Sequence, residues 1–575
     1  MRGSLLVGRL GLGCVLVMTA VVVTGAAVVP RPADARAGDR SGAARPSGTA
    51  AAGDQLAGAE RDLAGVRAAR QSGLLEAEDH RLLDLVSSVP FGAPPYVVGT
   101  DQSTTVVLTP AGRDYGLADL EALGAAVANG DGSVDLVRHV LVAPGASLRI
   151  QAPGTTLRLH SDGSGFVSLV AWKATLVLAG AAGAPLTVTS WSPASAAADP
   201  SQVDGRAYVR AVGSSMTLDF VQATELGFWA GRTGGIAWTG SPRAAASGTV
   251  AHSTFAGNYY GIFASGSRDL KVTDSAFADN TVDGLALHRR SVGTVVTGGR
   301  ATGNGRYGVS ADLGSEGLRI TDADLSRNAD SGLFFSGAPF AVGPSAGGAP
   351  TRTYGDLTVT GGRAERNGRA GLRISRSSAV SISGITVAGS SDGILLAGTG
   401  FPTEVRDAVV RDVDRFGISV QDGMARLHDN RVGGCRTAIR VHDARGAVLA
   451  NDVRSAGHYG VSVSGSSGGS VVVANSLAGR GPAAVDTYRL GDAQDVAMRG
   501  NSSARWTVDE DDAEYWSHFV PRHPMVVLWV VVLLVPLTAT MRNRRRRPPP
   551  GTAPYADELR STPLVVARPV RGVGG

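Results

Sequence analysis

The sequence is poor in cysteine, lysine and aromatic residues, and these shortages exclude several classes of protein. Of the two cysteines, Cys14 lies in an apolar N-terminal run and leaves Cys435 without a partner, so no disulfide framework exists. Lysine occurs only at Lys173 and Lys271. Aromatic residues make up 5% of a chain that is 43% hydrophobic and contains 78 glycines. This composition suits many short strands and tight turns rather than a helical bundle.

An excess of positive over negative charge is confined to one segment. The formal net charge is +5, and a cluster of arginines at 542–547 near the C-terminus leaves the rest of the chain close to neutral. Recognition of nucleic acid needs a basic face on the folded part of a protein. We therefore expect no nucleic-acid partner.

The N-terminus has the order of a secretory signal. Arg2 and Arg9 come first, an apolar stretch follows at 10–29, and small residues alternate at 33–37. The sequence predicts a signal peptide at 1–37, and the length of the apolar stretch leaves an uncleaved signal anchor open. Either element exports the residues that follow.

The C-terminal region contains a second apolar segment. Residues 525–541 read MVVLWVVVLLVPLTATM and carry no charge, which is near the lower limit for crossing a bilayer. The acidic run DEDDAE at 509–514 lies on one side and RNRRRR on the other, which orients the tail inward. We predict a juxtamembrane segment at 504–523, a transmembrane helix at 524–541 and a cytoplasmic tail at 542–575, with the body outside the cell membrane.

The region between the signal and the repeats has its own pattern. Residues 38–132 are predicted to form a linker and a short helical or capping region, because leucines and valines between 55 and 89 are spaced three, four and seven apart. From about residue 133 apolar and polar residues alternate between Gly/Pro turns, which is typical of strands.

The strongest pattern is a glycine followed by an apolar residue, any residue and usually a second apolar residue. Successive instances are 21 to 24 residues apart, except for a gap of 39 between Gly332 and Gly371 that contains the loop-like segment 337–350. Each repeat also carries a second alternating segment, such as LRITDADL at 318–325. We call the first residue of this pattern the anchor of its repeat, and alanine replaces glycine there in two repeats. The anchors are Gly261, Gly284, Gly308, Gly332, Gly371, Gly393, Gly417, Ala438, Gly460 and Ala484.

A unit of 22–24 residues cannot bury its apolar side alone, so neighbouring units must stack. Stacking predicts an all-β right-handed parallel β-helix over residues 133–503, with successive coils about 4.8 Å apart. A leucine-rich repeat would need a longer leucine line, and a propeller would need repeats of about 40 residues or more. Asparagines that precede five consecutive anchors should bond along the stack: Asn258, Asn280, Asn304, Asn328 and Asn367.

The alternation after each anchor also assigns directions to side chains. The residue after the anchor should point inward and the next one outward. We therefore expect Ile394 to be buried and Ser419 to be exposed.

Units such as FADNTVDGLALHRRSVGTVVTGGRATGN at 277–304 resemble the parallel β-helix repeats of the pectate-lyase-like superfamily. The resemblance covers roughly residues 133–503. The superfamily includes pectate lyases, polygalacturonases, alginate C5-epimerases and NosD-like periplasmic proteins, which mostly bind or act on polysaccharides along the outside of the helix. The resemblance implies a polysaccharide ligand. It implies no particular activity, because the Asp-Pro-His epimerase motif and the polygalacturonase set are absent.

Residues at equal distances from the anchors should form columns on the outer face, and one group of columns is rich in polar residues. Asp422 and Asp443 fall on adjacent coils, where two close carboxylates suit acid–base chemistry or a bound cation. His442 adds an imidazole, so these three are the predicted catalytic residues. Arginines on the same coils can pair with uronate carboxylates. The predicted substrate-binding residues are Arg373, Arg376, Gln421, Arg440, Asp486, Tyr488 and Arg489.

A smaller patch is the second candidate, formed by His288, Arg289 and Asp312. The outward positions of any solenoid are polar, so a solvated face without chemistry is the alternative for both patches. The sequence has no calcium-binding loop and no His/Cys spacing for zinc, and we expect neither a metal nor another cofactor.

Two functions are consistent with these features. The first is an extracellular, membrane-tethered β-helix protein that binds or modifies a cell-surface or environmental polysaccharide. Acidic polysaccharides are among the candidate ligands. If it is an enzyme, it is a polysaccharide lyase, epimerase or hydrolase. The second is a structural or interaction spacer on the cell surface that has no chemistry of its own.

Overall fold

The computed structural model describes residues 48–509 except 91, 100–102, 345–346 and 492–493, together with residues 525, 528, 529, 532 and 534. The chain divides into Met1–Gly65 and Val66–Gly575, and the described residues of the first unit, 48–65, are helical. The predicted signal segment at 1–37, the tail at 542–575 and most of the predicted membrane span at 524–541 lie outside the described residues. Among the residues that are described, no helix is long and apolar enough to span a membrane.

The second unit is an all-β solenoid with few helical residues. Besides the remainder of helix α1 (Gly48–Ser88), it contains helix α2 (Leu117–Ala122), a single 3-10 turn (Gly231–Thr233) and a right-handed parallel β-helix of about 15 turns. A complete coil has three strands, which belong to three parallel sheets numbered here in their order along the coil. The predicted right-handed parallel β-helix is confirmed.

Sheet 1 runs along the whole solenoid. Its side chains alternate as a half-buried strand requires, so that Leu148 and Ile150 enter the core while Arg149 and Gln151 are exposed. Its strands are Ser147–Gln151, Thr175–Ala179, Ser215–Asp219, Ser247–Ala251, Lys271–Thr273, Val295–Thr297, Leu318–Thr321, Tyr354–Thr360, Ser377–Ser383, Thr403–Arg406, Met424–His428, Arg445–Leu449, Val471–Val473 and Ala497–Arg499.

Sheet 2 follows after a sharp corner. Its first pair is antiparallel, two short strands (Gly165–Phe166 and Ala197–Ala198) pair at its side, and the remaining neighbours are parallel. Its strands are Ala126–Ala128, Val134–Leu136, Thr156–Asp162, Leu186–Ser192, Val221–Thr224, Thr254–Ala256, Ala276–Ala278, Arg300–Thr302, Arg363–Glu365, Thr386–Ala388, Val409–Arg411, the first parts of Arg431–His442 and Asp452–Ser464, Ser476–Gly481 and Ser502–Val508.

Sheet 3 contains the repeat anchors. Parallel pairing begins where Thr105–Leu108 lies beside His139–Val142, which is earlier than the predicted start at 133. Its strands are Tyr96–Val98, Thr105–Leu108, His139–Val142, Ser168–Trp172, Tyr208–Val212, Gly235–Thr239, Tyr260–Ser265, Leu285–His288, Tyr307–Ala311, Ser331–Ser336, Ala370–Ser375, Asp392–Ala397, Phe416–Gln421, the later parts of Arg431–His442 and Asp452–Ser464, and Ala483–Asp486.

The anchor glycines are required by close approach between coils. A Cβ atom added to Gly393 would lie 2.2 Å from the carbonyl oxygen of Gly417 on the next coil. The following residue, Ile394, is 0% exposed, as predicted. The expectation that Ser419 is exposed is wrong. This serine faces outward in register with Leu395 and Arg440, but it is only 4% exposed because it lies between these two larger side chains.

Asparagine side chains bond along the stack, as predicted. At the corner between sheets 2 and 3, Asn280 Nδ2 donates to Asn304 Oδ1 (2.9 Å), and the contact repeats from Asn304 to Asn328 (2.9 Å) and from Asn328 to Asn367 (3.1 Å). Sequence reasoning missed a second ladder at the corner between sheets 1 and 2. It consists of Asn430, Asn451, Asn475 and Asn501, with Nδ2–Oδ1 distances of 3.0, 3.0 and 2.9 Å.

The part of helix α1 that belongs to the second unit, residues 66–88, covers the outer face of sheet 3 in the first coils. Leu82 and Leu85 pack against Val107, Leu141 and other outward residues of sheet 3 in an apolar cluster separate from the solenoid core. Beside this cluster Glu78 is buried. Its carboxylate accepts hydrogen bonds from Arg81 (2.5 and 2.7 Å), from Ser168 Oγ (2.9 Å) and from the hydroxyl of Tyr208.

Candidate functional site

The predicted site lies on the outer face of sheet 3, between the coils that begin at Gly371 and Ala484, and we call this surface the sheet 3 patch. The strand register reproduces the columns inferred from the sequence. One column contains Arg373, Leu395, Ser419, Arg440, Ser462 and Asp486, and the neighbouring one contains Ser375, Ala397, Gln421, His442 and Ser464.

The two aspartates of the predicted catalytic set lie at the turn that follows sheet 3. Asp422 and Asp443 have φ angles of 50° and 48°, in the left-handed region that aspartate tolerates better than most residues. The carboxylate of Asp443 accepts the backbone N–H of Ser466 on the next coil (2.7 Å). Both residues therefore have a turn-forming role that needs no chemistry to explain it.

Two of the three predicted catalytic residues are in contact. His442 Nε2 lies 3.2 Å from Asp443 Oδ2, and its Nδ1 lies 3.0 Å from Ser464 Oγ. Both side chains are part-exposed. The carboxylate of Asp422 instead accepts a hydrogen bond from the side chain of Gln421 (3.1 Å). The structure thus joins His442 to Asp443 and gives Asp422 a different partner.

Three predicted binding arginines lie over aromatic rings. The distances from guanidinium carbon to ring centroid are 5.3 Å for Arg373 and Phe334, 4.9 Å for Arg440 and Phe416, and 5.4 Å for Arg489 and Tyr459. Such contacts stabilise a cation without neutralising it. Two of these rings had a detectable signal, because Phe416 and Tyr459 each come directly before an anchor glycine.

Arg440 is the electrostatic centre of the patch. Its burial, followed by the charge of Arg489, lowers the pKa of the Arg440 guanidinium from its usual value. No carboxylate in the described part of the chain lies within ion-pair distance of Arg440. Arg415, which also contributes to this effect, is paired with the buried Asp392. Arg440 is therefore a part-buried cation without an ion-pair partner in the described structure, and an anion bound beside it would offset the cost of its burial.

The remaining predicted residues divide by exposure. Asp486 is fully buried and accepts hydrogen bonds from Ser462 Oγ, the Tyr488 backbone N–H and Arg489, each at 3.0 Å. It positions Arg489 rather than presenting its own oxygens. Tyr488 and Arg489 are exposed at the end of this coil. Arg376 is exposed at a left-handed turn position with φ 45°, in line with Asp422.

The smaller patch also forms. His288 Nδ1 lies 2.6 Å from Asp312 Oδ1 on the next coil, and the imidazole lies 5.7 Å from the ring centroid of Phe263. Arg289 follows directly in the chain and occupies a left-handed turn position with φ 41°.

Comparison with known proteins agrees with this architecture. The family model described as "right handed beta helix region" matches residues 234–410, and the one described as "periplasmic copper-binding protein (NosD)" matches residues 348–491. No curated protein matches. With the fold described above, these matches show that the chain is a right-handed parallel β-helix repeat protein.

Several solved structures are similar at low identity. The periplasmic alginate epimerase AlgG is 13% identical over 74% of this chain and 95% of that chain, with a TM-score of 0.39. The A-module of the Azotobacter vinelandii mannuronan C-5 epimerase AlgE4 is 16% identical over 63% and 88%, with a TM-score of 0.36. The Dettilon tailspike protein is 11% identical over 65% and 62%, with a TM-score of 0.28. Similarity at this level carries no conclusion about activity.

The residues under the second family match do not fit a copper site. Copper prefers imidazole and sulfur ligands grouped around one point. Within the described part of 348–491, His428 bonds Glu404 and Asp429 (2.8 and 2.7 Å), while Cys435 is buried in the core. Among all described residues no group of three or more His, Cys, Asp or Glu could hold a metal ion.

Proposed function

We propose that the protein binds an acidic polysaccharide across the sheet 3 patch. The observation that supports this most directly is the part-buried guanidinium group of Arg440, which has no carboxylate within ion-pair distance in the described structure. Arg373 and Arg440 are three coils apart, and Arg440 and Arg489 are two coils apart. With a rise of about 4.8 Å per coil, these separations are about 14 Å and about 10 Å along the stack. An acidic polymer crossing the coils can meet these cations in turn.

The aromatic rings add selectivity to this charge. A guanidinium presents a fork of N–H donors that matches a carboxylate, and a ring beneath it limits the conformations that the side chain samples. Less conformational entropy is then lost when Arg373 or Arg440 binds an anion. The exposed ring of Tyr488 offers a surface for the apolar side of a sugar.

The same face carries groups suited to proton transfer. His442 Nε2 lies 3.2 Å from Asp443 Oδ2, and Asp422 lies on the preceding coil. These three residues remain the proposed catalytic set, and lyase, epimerase and hydrolase reactions all require such groups. If the polymer is turned over, their removal abolishes turnover and leaves binding largely intact.

We also propose that the solenoid lies outside the cell, tethered through the apolar segment at 524–541. The support is in the sequence, where an uncharged run is followed directly by RNRRRR and preceded by DEDDAE. Protease added to intact cells should remove the solenoid and spare the tail at 542–575. Digestion of the tail from outside would contradict this topology.

One observation favours the second function, a non-catalytic spacer. Asp422 and Asp443 share their left-handed conformation with turn aspartates such as Asp269, Asp407 and Asp412, which lie outside the patch. Aspartate at these positions is explained by turn geometry alone. A spacer would present the same repeated turns and bind no glycan.

Binding to polygalacturonate and to neutral dextran decides between these functions. The purified full-length protein should bind polygalacturonate, more weakly as salt is added. Arg440→Ala should weaken binding about tenfold, since a hydrogen bond to a charged group contributes about 1.5 kcal/mol or more. Arg431→Ala is the matched control, because Arg431 is exposed on the same strand but lies in sheet 2. Binding to neither polymer would support the spacer.

A further inference from the structure

A cavity of about 700 Å³ lies beside the turns that follow sheet 3, next to the loop at 337–353. This loop joins the sheet 3 strand ending at Ser336 to the sheet 1 strand beginning at Tyr354, and it accounts for the long gap between anchors. Four guanidinium groups and one carboxylate line the cavity: those of Arg268, Arg289, Arg290, Arg352 and Glu316. We call it the loop pocket.

The charges of the loop pocket do not balance. Arg352 and Glu316 form a bidentate pair, with both N–O distances at 2.9 Å. The nearby Asp312 is bonded to His288. In the described part of the chain, Arg268, Arg289 and Arg290 form no ion pair with any carboxylate. Three exposed cations therefore line one cavity, and together they favour the binding of an anion there.

An aromatic wall gives the loop pocket a fixed shape. The guanidinium carbon of Arg290 lies 5.0 Å from the ring centroid of Phe340, and that ring meets the edge of Tyr354 at 5.8 Å. Gly314 allows the loop to sit this close, because a Cβ atom there would lie 2.4 Å from the Phe340 ring. Phe340 thus packs the loop against the neighbouring coil.

The loop pocket also contains a polar group with no described partner. The hydroxyl of Ser267 is buried in its lining and makes no hydrogen bond among the described residues. The equivalent hydroxyls of the next two coils do bond: Ser291 donates to the Ala264 carbonyl (3.1 Å) and Ser315 to the Leu287 carbonyl (3.2 Å). The Ser267 hydroxyl is therefore the exception among these three equivalent serines, at the position that lines the loop pocket.

We propose that the loop pocket binds a single acidic sugar unit, with its charged group at Arg268, Arg289 and Arg290 and its ring beside Phe340. This inference rests on the proposed function, since it assigns the acidic polymer a second contact point some coils away from the sheet 3 patch. The cavity volume lies within the range of small-molecule sites, about 300–1,000 Å³, and suits one or a few sugar rings. Arginine donors and a ring wall are the groups that recognise a carboxylated sugar.

The test compares trigalacturonate, inorganic phosphate, uncharged maltotriose and polygalacturonate as probes of the full-length protein. The variant Arg289→Asn/Arg290→Asn removes two charges, and asparagine tolerates the left-handed conformation of both positions (φ 41° and 61°). Arg327→Asn is the matched control, because Arg327 is exposed, has φ 59° and lines neither site. Circular dichroism of each variant reports whether it is folded.

We expect wild-type protein to bind trigalacturonate and the pocket variant to bind it at least about tenfold more weakly, as loss of charged hydrogen bonds predicts. The Arg327→Asn control should stay within about twofold, as surface substitutions do. Phe340→Leu should weaken the binding of trigalacturonate and leave the binding of phosphate unchanged. Equal binding of trigalacturonate by wild type and pocket variant would overturn the inference.

Failure of the pocket and failure of the proposed function give different results. If polygalacturonate binding requires Arg440 but is unchanged in the pocket variant, the loop pocket is not a binding site and the proposal for the sheet 3 patch is retained. If phosphate binds as tightly as trigalacturonate, the pocket recognises a bare anion and the proposal that it binds an acidic sugar is refuted. If no acidic glycan binds at all, both proposals fall.

Discussion

Asn304 offers the sharpest test of what holds the coils together. Its side chain makes four hydrogen bonds in the buried corner between sheets 2 and 3. The Oδ1 atom accepts the backbone N–H and the Nδ2 of Asn280 (3.2 and 2.9 Å). The Nδ2 atom donates to the Phe277 carbonyl (3.2 Å) and to Asn328 Oδ1 (2.9 Å). Asn304 therefore forms hydrogen bonds with both the preceding coil and the following coil.

The cost of Asn304→Ala follows from which groups lose all their partners. Asn280 Nδ2 keeps its bond to the Phe255 carbonyl, and Asn328 Oδ1 keeps the Asn304 backbone N–H. The Asn280 backbone N–H loses the side-chain partner described here, whereas the Phe277 carbonyl loses one bond but stays within the parallel pairing of Ala276–Ala278 with Arg300–Thr302. A buried polar group left unpaired costs about 1–3 kcal/mol and each of the other lost hydrogen bonds about 0.5–1.5 kcal/mol, so the change should destabilise these coils by about 2 kcal/mol or more.

Hydrogen exchange is the suitable assay, because a stack of coils opens locally rather than as one unit. Peptides that cover 277–311 should exchange at least about 30-fold faster in Asn304→Ala, the factor that about 2 kcal/mol produces. Peptides from 403–449 should be unaffected. Thr297→Ala, an exposed change in sheet 1 on the same coil, should stay within about 0.5 kcal/mol of wild type. Equal exchange in the two variants would refute the role of the ladder.

Three further predictions follow from burial and charge. Ile394→Asp should destabilise its coil by several kcal/mol in the same assay, since it places an unpaired charge in the core. Ser419→Asp should also be destabilising, because Ser419 is buried. Burial raises the pKa of Glu78, but the hydrogen bonds and charge of Arg81 outweigh it and bring the pKa to about 2. Because the folded pKa is depressed, Glu78 stabilises the fold above its unfolded pKa, and a pH titration of unfolding should show this contribution fade as pH falls toward about 2 and vanish in Glu78→Gln. Burial raises the pKa of the Cys435 thiol to about 12, so a thiol reagent should label it only after unfolding.

The solenoid was predictable because its cause is local and repeated. Each anchor, such as Gly393, is needed by a contact with the equivalent residue one coil away, so the requirement appears in the sequence at the period of the coil. The ladder through Asn304 has the same origin. The second ladder through Asn451 was not predicted because it lies in the corner before sheet 2, away from the anchors.

Contacts made once cannot be found in this way. The burial of Glu78 depends on Ser168 and Tyr208, which lie 90 and 130 residues away along the chain. The loop pocket likewise depends on Phe340 folding back onto Gly314, and neither residue recurs with the repeat. The columns of the sheet 3 patch were correct in register, yet the sequence could not show that Ser419 is covered or that Asp486 is buried.

The coverage of sheet 3 explains why both proposed sites lie where they do. In the first coils helix α1 occupies the outer face, with Leu82 and Leu85 seated on Val107 and Leu141. A polymer that follows the strand ladder therefore meets helix α1 at that end rather than the outer face of sheet 3. Farther along, the same outward columns carry guanidinium groups over rings instead of a covering helix. One sheet thus uses its outer face for folding where it is apolar and leaves it available to ligands where Arg373, Arg440 and Arg489 keep it charged.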